Sequence, residues 1–178
     1  MMKPSPSCSI HTRLFTDDGT IPNHPTLPVV IYSGAFPASP DAMEDVFNRN
    51  GWLNSWTNGV FDYHHYHSNA HEVLGVISGE VTLRLGGEQG ETVTLRAGDV
   101  VVLPAGTGHR RLDASSDFRI VGAYPQGMSY NVRTGAPGEH EQALKEIPHV
   151  PVPDTDPVFG EQGPLLEHWS GTSIRHPH

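Results

Sequence analysis

The sequence predicts an all-β fold, a barrel or sandwich of short strands joined by tight turns. The 178-residue chain contains 19 Gly and 16 Pro, which is typical of turn-rich β proteins. Its middle part repeats short segments in which apolar and polar residues alternate. The length fits one domain, and no internal repeat is visible, so we predict one barrel rather than two.

The N-terminal third is predicted to supply an arm, one strand and one short helix. Residues 1–27 are polar and interrupted by prolines, so we interpret them as an arm with at most one short strand near residues 10–15. Residues 28–34, PVVIYSG, form an apolar run that predicts a strand. Residues 40–51 have the spacing of a short helix that ends at Gly51. Three apolar residues would share one face of this helix: Met43, Val46 and Phe47.

Residues 28–130 are predicted to form the barrel. Alternation of apolar and polar residues places one face of each strand in the core and the other toward solvent. The predicted β segments after the helix are 71–79, 80–99 (a hairpin around the loop GGEQGE), 100–104 and 117–124.

Residues 131–178 differ in composition from the barrel. They contain seven prolines and one helical stretch, residues 139–147. We interpret them as an extended Pro-rich C-terminal tail that packs on the barrel, and a lid or a dimer-contact arm is the alternative. The histidines of this tail are predicted to be solvated: His140, His149, His168, His176 and His178.

Charge and cysteine content exclude several classes of function. The formal net charge is -9 and there are only two lysines, so phosphate backbones and anionic lipid headgroups would be repelled. We therefore expect no nucleic-acid partner and no membrane partner. The single cysteine, Cys8, cannot form an internal disulfide, and the N-terminus has no apolar signal region. These features predict a cytoplasmic protein.

Histidines cluster in one eight-residue window that holds four of the 12 in the chain. His65 and His67 are two residues apart, so on a strand they would point to the same face with Cα atoms about 7 Å apart. Glu72 follows after a short segment that can turn the chain back beside them. Two imidazoles and a carboxylate suit a borderline divalent metal. His64 and His71 would point away from this group and are interpreted as structural or surface residues.

A fourth ligand is predicted at His109. It follows the segment GDVVVLPAGTG, in which a strand ends at Pro104 and two glycines relieve backbone constraint. An inflexible turn directly before a ligand would hold that ligand still.

These residues resemble the two short motifs of the cupin superfamily. The first motif is matched by Gly59, His65, His67, Glu72 and Gly79, and the second by Gly98, Pro104, Gly106 and His109. Asp113 stands where the second motif has an asparagine, a substitution that a turn tolerates. The stretch WTNGVFDYHHYHSN is also similar to a group of uncharacterised single-domain bacterial cupins.

The resemblance implies a cupin β-jelly-roll barrel that binds one divalent transition metal per chain. Its ligands would be His65, His67, Glu72 and His109, and the metal can be Mn, Fe, Ni, Cu, Co or Zn. The alternative is a metal-free cupin that keeps the ligand residues. Because cupin barrels expose an apolar sheet face and commonly pair through it, we also expect a homodimer, with residues 28–34 as an edge-to-edge partner.

Two classes of function follow from the resemblance. The first is a metal-dependent oxidoreductase, dioxygenase-like, or an isomerase, which acts on a small organic molecule bound at the metal. The second is a non-catalytic, metal-dependent small-molecule binding protein. Oxalate-acting relatives usually carry an arginine where this chain has Asp62, which argues against a small dicarboxylate substrate.

Strand parity predicts the walls of the substrate pocket. Phe61 and Tyr63 share the parity of His65, so they are predicted to line the barrel interior, either as core packing residues or as substrate contacts. Tyr63 is the candidate catalytic hydroxyl. Tyr124 is predicted to reach the cavity from a late strand. The further walls expected from parity are Val81, Leu83 and Val102, whereas Arg84 should point outward and Trp52 and Trp56 are interpreted as packing residues.

Overall fold

The computed structural model describes residues 8–37 and 40–170, which form nine strands with short helices. The strands are β1 (Ser9–Arg13), β2 (Val29–Ser33), β3 (Trp52–Asn58), β4 (Glu72–Ser78), β5 (Glu80–Leu85), β6 (Glu91–Arg96), β7 (Val100–Leu103), β8 (His109–Ala114) and β9 (Arg119–Pro125). The helices are α1 (Met43–Arg49), α2 (Glu139–Glu146) and α3 (Pro164–Ser170), with 3₁₀ turns at Pro40–Ala42 and Ile147–His149. The all-β prediction is confirmed.

Two antiparallel sheets face each other, as in a jelly roll. The larger has the strand order β1-β2-β7-β4-β9-β3 and the smaller the order β6-β5-β8. Two strands were not predicted from the sequence, β3 and β8. Their sequences, WLNSWTN and HRRLDA, do not show a clear alternation of apolar and polar residues, and most of their residues are exposed or only partly buried.

The four central strands of the larger sheet, β2, β7, β4 and β9, are buried on both faces. The inner face of this sheet meets the smaller sheet in one apolar cluster, which includes Leu74, Leu83 and Val101. Its outer face is covered by α1 and by the C-terminal tail in a second cluster, which includes Phe47 and Trp169. The predicted shared face of the helix is confirmed, because its three apolar residues are all buried: Met43, Val46 and Phe47.

The β4–β7 register corrects the predicted orientation of Val102. Glu72 lies opposite Leu103, and Val73 lies opposite Val102. Residues opposite each other point to the same face, so Val102 faces the outer cluster together with Val73. The prediction that Val102 lines the barrel interior is therefore wrong, and Val101 and Leu103 occupy the inner face instead.

The C-terminal tail is held on the outer face by buried polar contacts. Asp156 is fully buried, accepts a hydrogen bond from Tyr32 Oη (2.8 Å) and accepts further bonds from three backbone N–H groups of the tail. Trp169 of α3 donates from Nε1 to the Pro28 carbonyl at 2.8 Å. In the tail, His149 and His168 are exposed as predicted, His140 is half-buried beside Asp17, and His176 and His178 lie outside the described residues.

This packing removes the structural basis on which the homodimer was predicted. Strand β2 lies between β1 and β7 and is not an edge of the sheet. The outer apolar face is covered by the chain's own helices and tail. Within the described residues, no helix is long and apolar enough to cross a membrane.

The homodimer itself stays a prediction. If it forms, the edges of the larger sheet, β1 and β3, are the strands through which two copies can add backbone hydrogen bonds. Analytical ultracentrifugation at micromolar concentration should then give twice the mass of one chain. A single species with the mass of one chain would contradict the prediction.

Candidate metal centre

The segment that carries His65 and His67 is not the regular strand that the sequence predicts. Residues 59–71 contain only isolated bridges, of which one pairs His65 with His109. In that bridge His65 N donates to His109 O at 3.2 Å and His109 N donates to His65 O at 2.9 Å. The bridge fastens the first motif to the start of β8 and so brings the two motifs together.

Four side chains converge at this point. Donor atoms of His65, His67 and His109 all lie within 4.8 Å of one another. Glu72, the first residue of β4, places Oε1 3.2 Å from His67 Nε2 and 3.5 Å from His109 Nε2. None of the four residues is more than 6% exposed. The four predicted ligands are thus brought together in one buried group, which we call the histidine–glutamate cluster.

The tautomers of the three histidines are set by backbone carbonyls. His65 Nδ1 lies 3.1 Å from the Tyr63 carbonyl, His109 Nδ1 lies 3.0 Å from the Thr107 carbonyl, and His67 Nδ1 lies 2.5 Å from the Asn131 carbonyl. A carbonyl only accepts, so each Nδ1 carries the hydrogen and each Nε2 keeps a lone pair. Second contacts of this kind orient histidines for metal binding.

Burial and charge act in opposite directions within the histidine–glutamate cluster. Burial, helped by the neighbouring His109, lowers the pKa of His65 to about 2, so this imidazole is neutral. Burial would also lower the pKa of His67, but the Glu72 carboxylate outweighs it and raises that pKa. Burial disfavours the charge of Glu72, yet His67 and His109 hold its pKa well below the usual range. Glu72 is therefore an anion, which His67 balances when it carries a proton.

This donor set fits a divalent transition metal. Three imidazole Nε2 atoms and one carboxylate oxygen are borderline donors that such ions accept. A metal can replace the proton on His67 as the positive partner of Glu72, because ligand histidines bind in the neutral form. The histidine–glutamate cluster also leaves space on one side, where the cavity begins.

A cavity of about 310 Å³ opens from the histidine–glutamate cluster. Four aromatic side chains and several aliphatic ones line it, and the charged or ionisable groups of the cluster form its inner end. Among the described residues, no lysine or arginine lines this cavity. The aromatic lining residues are Trp56, Phe61, Tyr124 and Tyr130, and the aliphatic ones are Val60, Leu74 and Val132.

Only some of the residues predicted for the pocket line the cavity. Phe61 and Tyr124 line the cavity as predicted. Tyr63 is 44% exposed, stacks on Phe61 and does not line the cavity, because residues 59–64 are irregular and strand parity does not apply to them. This position outside the cavity lends no support to the candidate catalytic role of its hydroxyl. Val81 and Leu83 point inward, but they are fully buried in the apolar core and do not line the cavity.

Several residues of the site were not predicted, and three of them make specific contacts within it. Trp56 was interpreted as a packing residue, but it lines the cavity and donates from Nε1 to Tyr124 Oη at 2.8 Å. Tyr130 comes from the C-terminal segment and stacks on Tyr124 with ring centroids 4.4 Å apart. Asn131 holds the turn after His67, because its side chain accepts from Ser68 N and donates to Ser68 Oγ. No spacing rule in the sequence connects these residues to the motifs.

The sequence neighbours of the ligand residues point away from the cavity. His64 Nε2 lies 2.8 Å from Glu88 on the surface, and His71 is buried beside Trp169. Asp62 is exposed and 3.8 Å from Arg111. Arg84 contacts the Glu88 carbonyl near the surface, as its predicted outward orientation requires.

Comparisons with known proteins agree with the fold and the motifs. A family model described as "Cupin domain" matches residues 56–119, which contain the histidine–glutamate cluster. The uncharacterized protein YjlB of Bacillus subtilis (strain 168) is 48% identical over 158 residues, which cover 89% of this chain and 95% of YjlB.

Solved structures give more distant similarity. An acireductone dioxygenase from Bacillus anthracis with cadmium in its active centre is 20% identical, with a TM-score of 0.36. The match covers 50% of this chain and 59% of the dioxygenase. An uncharacterized conserved protein with a double-stranded β-helix domain from Klebsiella pneumoniae is 17% identical, with a TM-score of 0.37. That match covers 75% of this chain and 84% of the other.

Proposed function

Because the chain belongs to the cupin superfamily, we propose that its histidine–glutamate cluster binds one divalent transition metal ion per chain. The observation that carries the proposal is the convergence of three histidines and one carboxylate at the inner end of a cavity. The backbone carbonyls behind the histidines support it, because they turn every Nε2 toward the centre. Mn, Fe, Ni, Cu, Co and Zn all accept such a ligand set.

We infer that the protein is a metal-dependent enzyme, a dioxygenase-like oxidoreductase or an isomerase, acting on a small molecule in the cavity. When bound, the metal would supply Lewis-acid or redox chemistry and an open position for a ligand. The residues of the chain exclude water with their aromatic walls, and low polarity strengthens electrostatic interactions inside the cavity. Burial and the Glu72 carboxylate raise the pKa of Tyr124, so this phenol keeps its proton.

The cavity favours an aromatic or unsaturated substrate that carries no phosphate or carboxylate group. Aromatic rings from several parts of the chain offer flat apolar surfaces, such as the stacked pair of Tyr124 and Tyr130. A phosphate or carboxylate group that is not bound to the metal itself would find no lysine or arginine in the described lining to balance its charge. The size of the cavity, about 310 Å³, is at the lower end for ligand pockets and suits a small molecule.

A non-catalytic metal-dependent binder is the second candidate. One observation favours it: outside the histidine–glutamate cluster, the ionisable groups that line the cavity within the described residues are the phenols of Tyr124 and Tyr130. The Tyr124 hydroxyl is already engaged by Glu72 and Trp56. A reaction that needs a free general base would therefore have to use the metal or its bound ligand.

Elemental analysis of protein purified without a nickel column tests the metal proposal. We expect about one transition metal ion per chain, because the histidine–glutamate cluster contains one set of converging donors. Dialysis against a strong chelator and reloading should restore the same ratio. A metal content near zero that reloading with each candidate metal does not raise would overturn the proposal.

A coloured phenolic probe tests the substrate class and separates the two candidates. We expect 4-nitrocatechol to change its absorption on metal-loaded protein and not on chelator-treated protein, whereas benzoate and phosphate should not displace it. Gel filtration followed by metal analysis checks that the probe has not removed the ion. Oxygen uptake or a changed phenolic product then indicates an enzyme, whereas binding of a wider set of phenols without turnover indicates a binder. Displacement by benzoate or phosphate would contradict the inferred substrate class.

A further inference from the structure

Three side chains from three strands form a hydrogen-bonded chain that ends at the histidine–glutamate cluster. Trp56 of β3 donates from Nε1 to Tyr124 Oη of β9 at 2.8 Å, and Tyr124 Oη donates to Glu72 Oε2 of β4 at 2.7 Å. The indole lies directly over Gly122, where an added Cβ would come within 2.4 Å of Trp56 Cζ2. The absence of a side chain at residue 122 therefore leaves the space that Trp56 occupies.

The direction of these two hydrogen bonds is fixed by whether each group can donate or accept. An indole N–H only donates, so the oxygen of Tyr124 must accept from Trp56. An ionised carboxylate only accepts, so the hydrogen of Tyr124 must point to Glu72. The phenol cannot rotate its hydrogen away without losing one of two buried hydrogen bonds, which is costly in an apolar site.

The two oxygens of Glu72 therefore have different hydrogen-bonding partners. Oε1 faces Nε2 of His67 and of His109, at 3.2 Å and 3.5 Å. Oε2 is held by Tyr124 on the opposite side. Without that hold the carboxylate can rotate about its last torsion, which has broad minima.

We propose that Tyr124, itself oriented by Trp56, is a positioning residue that presents Glu72 Oε1 to the metal and reserves Oε2 for the phenol. This inference rests on the proposed metal function of the histidine–glutamate cluster. It implies that Tyr124 and Trp56, which are not ligands themselves, contribute to the metal affinity. Neither residue need touch the ion or the substrate to have this effect.

Tyr130 provides a matched comparison. It lines the same cavity and stacks on Tyr124 with an angle of 18° between the rings. Within the described residues, no hydrogen bond joins its hydroxyl to Glu72. Tyr124→Phe and Tyr130→Phe each remove one phenolic oxygen from the same wall, but only the first removes the hold on Glu72.

The test is the affinity for Co²⁺ or Mn²⁺, measured by chelator competition on the full chain. We expect Tyr124→Phe to weaken binding about 10- to 100-fold, the range found for groups that orient metal ligands. It should also change the visible spectrum of the Co²⁺ form, whereas Tyr130→Phe should alter affinity less than about twofold. Trp56→Phe should weaken binding less than Tyr124→Phe, because the phenol remains. Wild-type affinity and spectrum in Tyr124→Phe, or equal losses in both tyrosine variants, would overturn the inference.

A double variant tests that Trp56 acts through Tyr124. In the Tyr124→Phe background, Trp56→Phe should cause no further loss of affinity, because the two residues act in series. Additive losses would contradict this order, and circular dichroism shows whether each variant is folded.

If Tyr124→Phe does not fold, the single Trp56→Phe variant and its Co²⁺ spectrum carry the test. If wild-type protein binds neither ion, the metal function fails. If His109→Ala abolishes binding but Tyr124→Phe changes nothing, only this inference fails.

Discussion

Replacing His67 or His109 with alanine is expected to reduce the metal content to less than about a tenth of that of the wild type. Changes to groups that merely orient a ligand already cost about 10- to 100-fold in affinity. Loss of a ligand should cost more, because it also leaves Glu72 buried without one of the two Nε2 atoms that face it. Elemental analysis after gel filtration, with the protein loaded under identical conditions, measures the effect.

The control for this experiment is His64→Ala. His64 is adjacent to the ligand His65, but its side chain pairs with Glu88 on the surface. Its replacement should leave the metal content unchanged. His71→Ala should also retain metal, although His71 is fully buried and its loss should lower stability, which makes it the poorer control. Equal metal loss in His64→Ala and His67→Ala would show that the arrangement of the histidine–glutamate cluster is wrong.

The sequence was sufficient to predict the elements with strong local signals. The hairpin of β5 and β6 alternates apolar and polar residues, and α1 carries three apolar residues on one face. The four residues of the histidine–glutamate cluster lie in two short motifs, and the resemblance to cupins implied that both motifs contribute to one site. For the hairpin and the helix the signal lies within a few residues of the chain, so no tertiary contact is needed to recognise it.

The rest of the site depends on contacts between distant parts of the chain. Asn131 is 64 residues from His67, whose Nδ1 donates to its carbonyl. Trp56 and Tyr124 are 68 residues apart and meet only because β3 pairs with β9. Parity failed at Tyr63, where the backbone is irregular, and at Val102, whose face is set by its partner on β4. Alternation tells which residues share a face, and pairing decides which face is inside.

A buried histidine outside the histidine–glutamate cluster should make the fold sensitive to acid. His24 is 6% exposed, and its Nδ1 accepts backbone hydrogen bonds from Thr26 N at 3.2 Å and from Leu27 N at 3.0 Å. A second proton would have to go to Nδ1 and would break both bonds. Burial accordingly lowers the pKa of His24 to about 4, from 6.5 when the side chain is free.

The sign of the effect follows from the two pKa values. Above pH 6.5 the imidazole is neutral in the folded and unfolded states, so the full stability is present. Between pH 6.5 and about 4 the unfolded chain takes up a proton that the folded chain does not, so the free energy of unfolding decreases as the pH falls. Each pH unit in this range lowers the free energy of unfolding by about 1.36 kcal/mol, so the loss from His24 at pH 5 is about 2 kcal/mol.

His24→Asn isolates this contribution, because the asparagine oxygen can accept the same two backbone hydrogen bonds but does not titrate. Urea unfolding of metal-free protein, kept so by a chelator, should show that the wild type loses about 2 kcal/mol more than His24→Asn between pH 7.5 and pH 5. His168→Asn, which changes an exposed histidine on α3, should follow the wild type. Because the histidine–glutamate cluster is unchanged in all three proteins, its own titration cancels in the difference. Parallel pH profiles for wild type and His24→Asn would show that His24 does not enter the fold as a neutral, hydrogen-bonded side chain.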